Sequence, residues 1–210
     1  MIRICRLKDS PFTHEEVLEL IKESFQQWLD NGLGSILMQF TPSEFAEKTA
    51  DAVVLVAIDS DNNELVGTVT FTIHHTRKGD WAYHKYLAVK PSSKNKGIAT
   101  RLLEEFVSIA KKEGYAYILS NTAVPADWSV KWHKKNGFKT IGLYSTITSD
   151  YYSYLFRYQL KSPSIWNCTL FTDCVYGLSY LKTRAMRRRD GGMTCFGNFV
   201  LKVLRFFKLV

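Results

Sequence analysis

Four cysteines, Cys5, Cys168, Cys174 and Cys195, are all that the 210-residue chain contains, and no two of them form a CxxC pair. A thioredoxin-like site and a zinc ribbon are thereby left without their ligands, and a disulfide framework is not expected at this length. No stretch approaches the roughly 18 consecutive apolar residues that a membrane-spanning helix needs. The opening run Met1 to Arg6 has no long apolar segment behind it, so no secretory signal is expected. The sequence has no internal repeat. Only five prolines and twelve glycines interrupt it, which leaves room for long regular elements. A reduced, cytoplasmic setting follows as the expectation.

Apolar residues make up 46% of the chain, ample for a packed core and against disorder. The formal charge of +8 is unevenly placed. Residues 1–161 carry 20 Lys/Arg against 18 Asp/Glu, whereas residues 162–210 carry 8 against 2. The body is nearly neutral and the basic character belongs to the tail, which argues against a nucleic-acid binder. We therefore expect one domain over 1–161 and a basic extension over 162–210.

The hydrophobic pattern predicts the elements in turn. Ile2 to Leu7 reads as a strand. Thr13 to Glu16 has the form of a capping box and opens a helix that Asn31 and Gly32 end. Thr41 to Asp51 reads as a second, short helix. Ala52 to Ile58 is a β-branched run, and after turn residues 59–63 the alternation from Leu65 to Ile73 returns as its hairpin partner. Trp81 to Val89 is a strand and Ile98 to Lys112 an amphipathic helix closed by Gly114. Tyr115 to Leu119 is a strand, a helix runs from about Pro125–Asp127 to Asn136–Gly137, and Lys139–Tyr144 and Tyr151–Leu160 are the last strands. The strand–helix–strand unit from Trp81 to Leu119 favours a parallel pair in an otherwise antiparallel sheet.

Chemistry concentrates between Tyr86 and Thr100. A strand ends at Val89, a loop with Lys94, Asn95, Lys96 and Gly97 follows, and a helix begins with Ile98, Ala99 and Thr100. A helix start presents main-chain N–H groups and a partial positive charge. Glycine admits a ligand close to the backbone, and the lysines add full charge. The combination is suited to a diphosphate.

On these residues the chain resembles the GNAT superfamily of acyl-CoA N-acyltransferases. Lys94-x-x-Gly97-x-Ala99 looks like that family's (Gln/Arg)-x-x-Gly-x-(Gly/Ala) signature. Leu87-Ala88-Val89 looks like its fourth strand, and Trp132-His-Lys-Lys-Asn-Gly-Phe138 like its Phe-Tyr-Glu-Lys-Leu-Gly-Phe segment. The resemblance covers about residues 1–161. It implies an α/β (α+β) fold: a mixed, mostly antiparallel sheet whose parallel fourth and fifth strands splay, with helices on both faces. It implies acetyl-CoA as co-substrate, no metal, and a primary amine of a small molecule or protein as acceptor. Pantetheine would pair with the edge of Leu87, Ala88 and Val89. The diphosphate would lie on residues 95–100, and the acyl carbonyl would face the N–H of Val89 or its neighbour.

The match departs from the family where acid and base are concerned. His133 stands where the family often has the Tyr that protonates the departing thiolate, and imidazole can do this near neutral pH. Tyr83 stands where many relatives carry a Glu base, and a phenol is a poor base at pH 7. Asp80, at the strand mouth, is the third candidate, acting through water. His84 should point to the opposite face. His74 and His75 have no companion ligands for a metal. Tyr151, Tyr152, Tyr154 and Tyr158 read as strand and core aromatics, with an acceptor pocket as the alternative. Ala126 takes the place of an Asn that contacts the cofactor in relatives.

In the tail, Arg184, Arg187, Arg188 and Arg189 precede a segment that, as a helix over 196–210, puts Phe199, Val200, Val203, Leu204 and Phe207 on one face and Lys202, Arg205 and Lys208 on another. Three readings stand open for it: packing on the body or in a homodimer, attachment to the inner face of a membrane, and docking on a partner. The rivals to an N-acetyltransferase are a non-catalytic CoA-binding regulatory domain, a peripheral membrane adaptor acting through the tail, and O-acylation.

Overall fold

The structure is a computed structural model and describes residues 1–33, 36–76, 79–144, 151–162, 185 and 194–206. Its strands are β1 (Ile2–Arg6), β2 (Ala52–Asp59), β3 (Glu64–His74), β4 (Trp81–Val89), β5 (Tyr117–Ala123), β6 (Lys139–Tyr144) and β7 (Ser153–Gln159). Its helices are α1 (His14–Asp30), α2 (Pro42–Thr49), α3 (Ile98–Lys112), α4 (Asp127–Lys135) and α5 (Cys195–Phe206). The strands form one mixed sheet in the order β1-β2-β3-β4-β5-β7-β6. It is mostly antiparallel, with a parallel β4–β5 pair, as the sequence leads one to expect.

The chain divides into two compact units, Met1–Leu119 and Ser120–Val210, with the division inside β5. In the first unit, α1 and α2 start alike. Thr13 accepts a hydrogen bond from the N–H of Glu16 while Glu16 accepts one from Thr13, and Thr41 and Glu44 repeat the arrangement. The second box went unread in the sequence. Leu18 and Ile21 of α1 and Phe45 of α2 are buried against Val54, Val56 and Ile58 of β2 and Ala88 of β4. α3 buries Leu102, Leu103 and Phe106, and the Phe106 ring stacks on Phe71 of β3. Gly67 of β3 sets how closely α3 approaches. A Cβ there would come 2.9 Å from Ile98 Cγ2 and 3.3 Å from the Ala88 carbonyl oxygen, so only glycine lets the first turn of α3 sit this near the sheet.

In the second unit, β6 and β7 form a hairpin and β7 lies beside β5, where the Val124 N–H donates to the Tyr152 carbonyl at 2.8 Å. The sequence placed β5 at Tyr115–Leu119. Instead, Tyr115 closes the end of α3 through its N–H to the Ala110 carbonyl, and β5 runs on through Ser120, Asn121 and Thr122. Tyr152 is buried and the Tyr158 ring packs edge-on to Phe138, so these two of the four tyrosines serve the core. α5 begins at Thr194, whose side chain accepts from the Gly197 N–H. It leaves Phe196, Phe199 and Val203 exposed. No helix among the described residues is long and apolar enough to cross a membrane. The arginines at 184 and 187–189 and the residues Phe207 and Lys208 lie outside the described residues.

Candidate active site

The loop after β4 is built to leave a helix start open. The Lys90 N–H still donates to the Val66 carbonyl at 2.9 Å, keeping the strand end in the sheet, and the Lys90 ammonium pairs with Glu64. A single 3-10 turn, Pro91–Ser93, then carries the chain away. Asn95 and Gly97 both take left-handed backbone angles, φ 64° and 76°. Gly97 is the residue before the first turn of α3, and no side chain caps that end. Lys94, Asn95, Lys96 and Gly97 are exposed, while Ile98 is buried and seats the helix. Lys94 donates from Nζ to Gln27 Oε1 of α1 at 2.7 Å, fixing the loop's flank.

These residues fit a diphosphate. A Cβ built on Gly97 meets no atom within 4 Å, so the space above the helix start is open. The partial positive charge of the helix dipole falls on that space, and Lys94 and Lys96 are exposed in the same loop.

Upstream, β4 carries a feature that the sequence did not announce. Thr68 faces Ala88 but Thr70 faces Lys85, so Tyr86 and Leu87 together stand opposite Val69. This is a β-bulge, and Tyr86 adopts φ 52° in it. A tyrosine in this region costs about 1–3 kcal/mol and persists only where surrounding packing imposes it. Here the Tyr86 side chain packs into the core cluster under α1 and α2. The parallel pairing with β5 includes Ala82 opposite Ile118 and Tyr83 opposite Leu119. On its other side β4 pairs antiparallel with β3 as far as Val89, which lies opposite Gly67. The Val89 carbonyl also accepts from Ser24 Oγ of α1 at 3.0 Å. Leu87, Ala88 and Val89 thus lie between the bulge and the loop.

The three expected catalytic residues lie in different settings. Tyr83 is partly exposed and pairs with Thr72 on one side and Leu119 on the other. The Asp80 carboxylate lies 2.9 Å from His75 Nδ1, and its carbonyl accepts from the Ala116 N–H. It lies six positions before Tyr86, about 20 Å along an extended strand.

His133 is not the exposed polar residue that a lysine-rich helix end suggests. It is 3% exposed, stacked on Phe156 and edge-on to Phe138. Its Nδ1 lies 2.7 Å from the Ser129 carbonyl, which can only accept, so Nδ1 carries the proton. Nε2 is then the acceptor for the Ser120 hydroxyl at 2.8 Å. Burial pushes its pKa down to about 4, against a smaller opposing effect of the Ser129 bond.

His84 points away from Tyr83, as strand alternation requires, and lies buried edge-on to Phe71. Ala126 is buried before α4, with its N–H given to the Ala123 carbonyl. Among the described residues no group of three or more His, Cys, Asp or Glu gathers as a metal site would need.

Comparison with known proteins follows the same residues. The family model described as "Acetyltransferase (GNAT) family" matches residues 14–138. Among solved structures, an aminoglycoside 6'-N-acetyltransferase complexed with coenzyme A is 15% identical, with a TM-score of 0.57 over 77% of this chain and 99% of its own. A GNAT-family acetyltransferase from Staphylococcus aureus Mu50 is 18% identical, with a TM-score of 0.60 over 77% and 100%. The ribosomal-protein-S18-alanine N-acetyltransferase from Escherichia coli is 12% identical, with a TM-score of 0.58 over 78% and 97%. At such identities the likeness speaks for the fold. No curated protein matches the chain in sequence.

Proposed function

The chain belongs to the GNAT family of acetyltransferases, and from that premise we propose that it transfers an acetyl group from acetyl-CoA to a primary amine of a small molecule or a protein. The observation that carries this reading is the uncapped, glycine-opened start of α3 directly behind β4.

Acetyl-CoA supplies the activated thioester. Main-chain N–H groups from Asn95 to Thr100, with Lys94 and Lys96 beside them, bind its diphosphate. Leu87, Ala88 and Val89 pair with the pantetheine amides as an added strand would. The bulge at Tyr86 interrupts the β3–β4 ladder. A main-chain N–H turned out of that ladder is the donor we assign to the acyl oxygen as negative charge develops on it. Most of the acceleration comes from holding amine and thioester together. Tyr83 is the side chain we place beside the incoming amine. Asp80, held by His75, stands at the far end of the strand, where it reaches the amine only through water. His133 becomes a positioning residue: a neutral imidazole whose one N–H is committed to Ser129 has no proton to deliver. It holds α4 to Ser120 of β5 instead. We place the catalytic domain in 1–161, with 162–210 as an appendage.

The test is thiol release from acetyl-CoA with a panel of primary amines. Saturable, amine-dependent release is expected. CoA binding without such release would leave a non-catalytic regulator.

A second reading concerns attachment. Exposed Phe196, Phe199 and Val203 on α5, with Lys202 also exposed, suit an anionic membrane surface. Deleting 190–210 should abolish flotation with anionic liposomes, and equal flotation of both proteins, or none of either, removes the idea.

A further inference from the structure

The face of β4 turned toward α1 and α2 is basic, and among the described residues neither of its lysines, Lys85 or Lys48, forms an ion pair. Register places Thr72 opposite Tyr83 and Thr70 opposite Lys85. Strict alternation would send Lys85 and Tyr86 to opposite faces. The bulge brings both to the same one, with the Tyr86 ring 6.0 Å from Phe45 of α2. The Lys85 ammonium lies over the Tyr83 ring, 5.5 Å from its centre. Lys48 of α2 approaches the same face, its Nζ 5.2 Å from the centre of Phe40. Among the described residues the ion pairs are those of Met1, His75, Lys90 and Lys131, and none includes Lys85 or Lys48. Glu44, the carboxylate one turn before Lys48, is held by Thr41 and feels the Lys48 charge only as the weakest of the influences on it. Thr70, the register partner of Lys85, keeps its hydroxyl buried with no hydrogen-bond partner.

A half-buried ammonium near a second one and without a carboxylate is unfavourable. Burial, and after it the charge of Lys48, lowers the proton affinity of Lys85. His74, two residues beyond Thr72, is lowered by burial and then by Lys85, which shows the same unbalanced positive field. An anionic ligand group would offset that field. The cofactor's diphosphate does not supply it, because Lys85 lies four residues up-strand of Val89, about 13 Å from the strand end where the phosphate loop begins.

We propose that the acceptor is an amine that also carries a carboxylate or a phosphate-like group, and that Lys85, assisted by Lys48, binds that group beside Tyr83. The anion and the reacting nitrogen would then belong to one molecule, with the anion drawn to Lys85 and the nitrogen left to face the bulge one residue away. This inference rests on the acetyl-transfer reading and narrows its substrate class.

The test compares propylamine, β-alanine and 2-aminoethylphosphonate as acceptors in thiol release, using the full chain, Lys85→Met and Lys85→Arg. β-Alanine or the phosphonate should exceed propylamine in kcat/KM by on the order of ten-fold, chiefly through KM. Lys85→Met should remove that preference and Lys85→Arg retain part of it. Which of the two anions leads tells carboxylate from phosphate. Equal use of all three amines, or a fall alike for all three in Lys85→Met, overturns the proposal. If no amine is acetylated, the transfer reading itself fails. Calorimetric titration of the two anionic amines into CoA-saturated protein then decides the anion site separately. Binding weakened by Lys85→Met supports it, and binding that is absent or unaltered by the substitution removes it.

Discussion

Replacing Gly97 with valine is expected to weaken CoA binding about 100-fold, a loss of about 2.7 kcal/mol, while the fold survives. The backbone at Gly97 has φ 76°, where an L-residue is disfavoured by about 1–2 kcal/mol and a β-branched one by more. A Cβ there meets nothing within 4 Å, so no packed neighbour has to move and the harm stays local. Two effects reach the ligand. The new methyl groups stand where phosphate oxygens need to approach the helix start. Relaxation of φ toward negative values also re-aims the N–H groups that follow. Alanine at this position should show an intermediate loss, because it strains the backbone with less bulk. Calorimetry with CoA measures the affinity, and a thermal melt with circular dichroism reports the fold. An unchanged affinity in a folded Gly97→Val protein would remove the diphosphate cradle and the acyltransferase mechanism with it.

Acidification from pH 7 toward pH 4 is expected to cost about 3 kcal/mol of stability through His133 alone, at 1.36 kcal/mol per pKa unit between its ordinary 6.5 and about 4. The sign follows from which state binds the proton. Above pH 6.5 the imidazole is neutral in both folded and unfolded chains, and its contribution is fully present. As pH falls below 6.5 the unfolded chain takes up a proton that the buried ring refuses until about 4, so the folded state loses ground across that window. Denaturant midpoints measured at several pH values should therefore fall more steeply for the natural protein than for His133→Phe. The steepness is the readout, because phenylalanine also orphans the Ser120 hydroxyl and shifts overall stability. Parallel profiles would mean that the ring is accessible and titrates normally, which would restore it as a candidate acid.

Both predictions concern residues that the sequence singles out, but it identifies their settings unequally. Gly97 can be read correctly in isolation. Local order alone, a strand, a lysine-rich loop, a glycine and an amphipathic helix, places the helix start and opens it. The capping box at Thr13 is likewise local, since it closes over four residues. β5 could not be read this way. Ser120 and Thr122 look like loop residues until α4 supplies their partners. The Ser120 hydroxyl meets His133, and Thr122 Oγ1 donates to Ser129 Oγ at 2.8 Å. Polar residues are tolerated inside a strand when a distant segment satisfies them, and a linear pattern does not reveal that segment.

The same limit applies to β4. Its span is legible from composition, yet the bulge at Tyr86 has no sequence signature, because tyrosine is no natural occupant of left-handed backbone. It arises from register against β3 and from the ring's place beneath α1 and α2. Lys85 passes unnoticed in the sequence as one more lysine on a strand. It stands out once pairing sets it beside Tyr83 and α2 brings Lys48 to the same face.

By itself the sequence determined the order of helices and strands, the lysine- and glycine-bearing loop before α3 and the family likeness, since each depends on periodicity and on the backbone freedom of residues close together in the chain. Only the tertiary structure decided that His133 is a buried, neutral link, that the β4 ladder breaks at Tyr86, and that Lys85 and Lys48 share the face where the acceptor is proposed to bind. Those outcomes depend on burial, strand register and charge at positions that folding alone brings together.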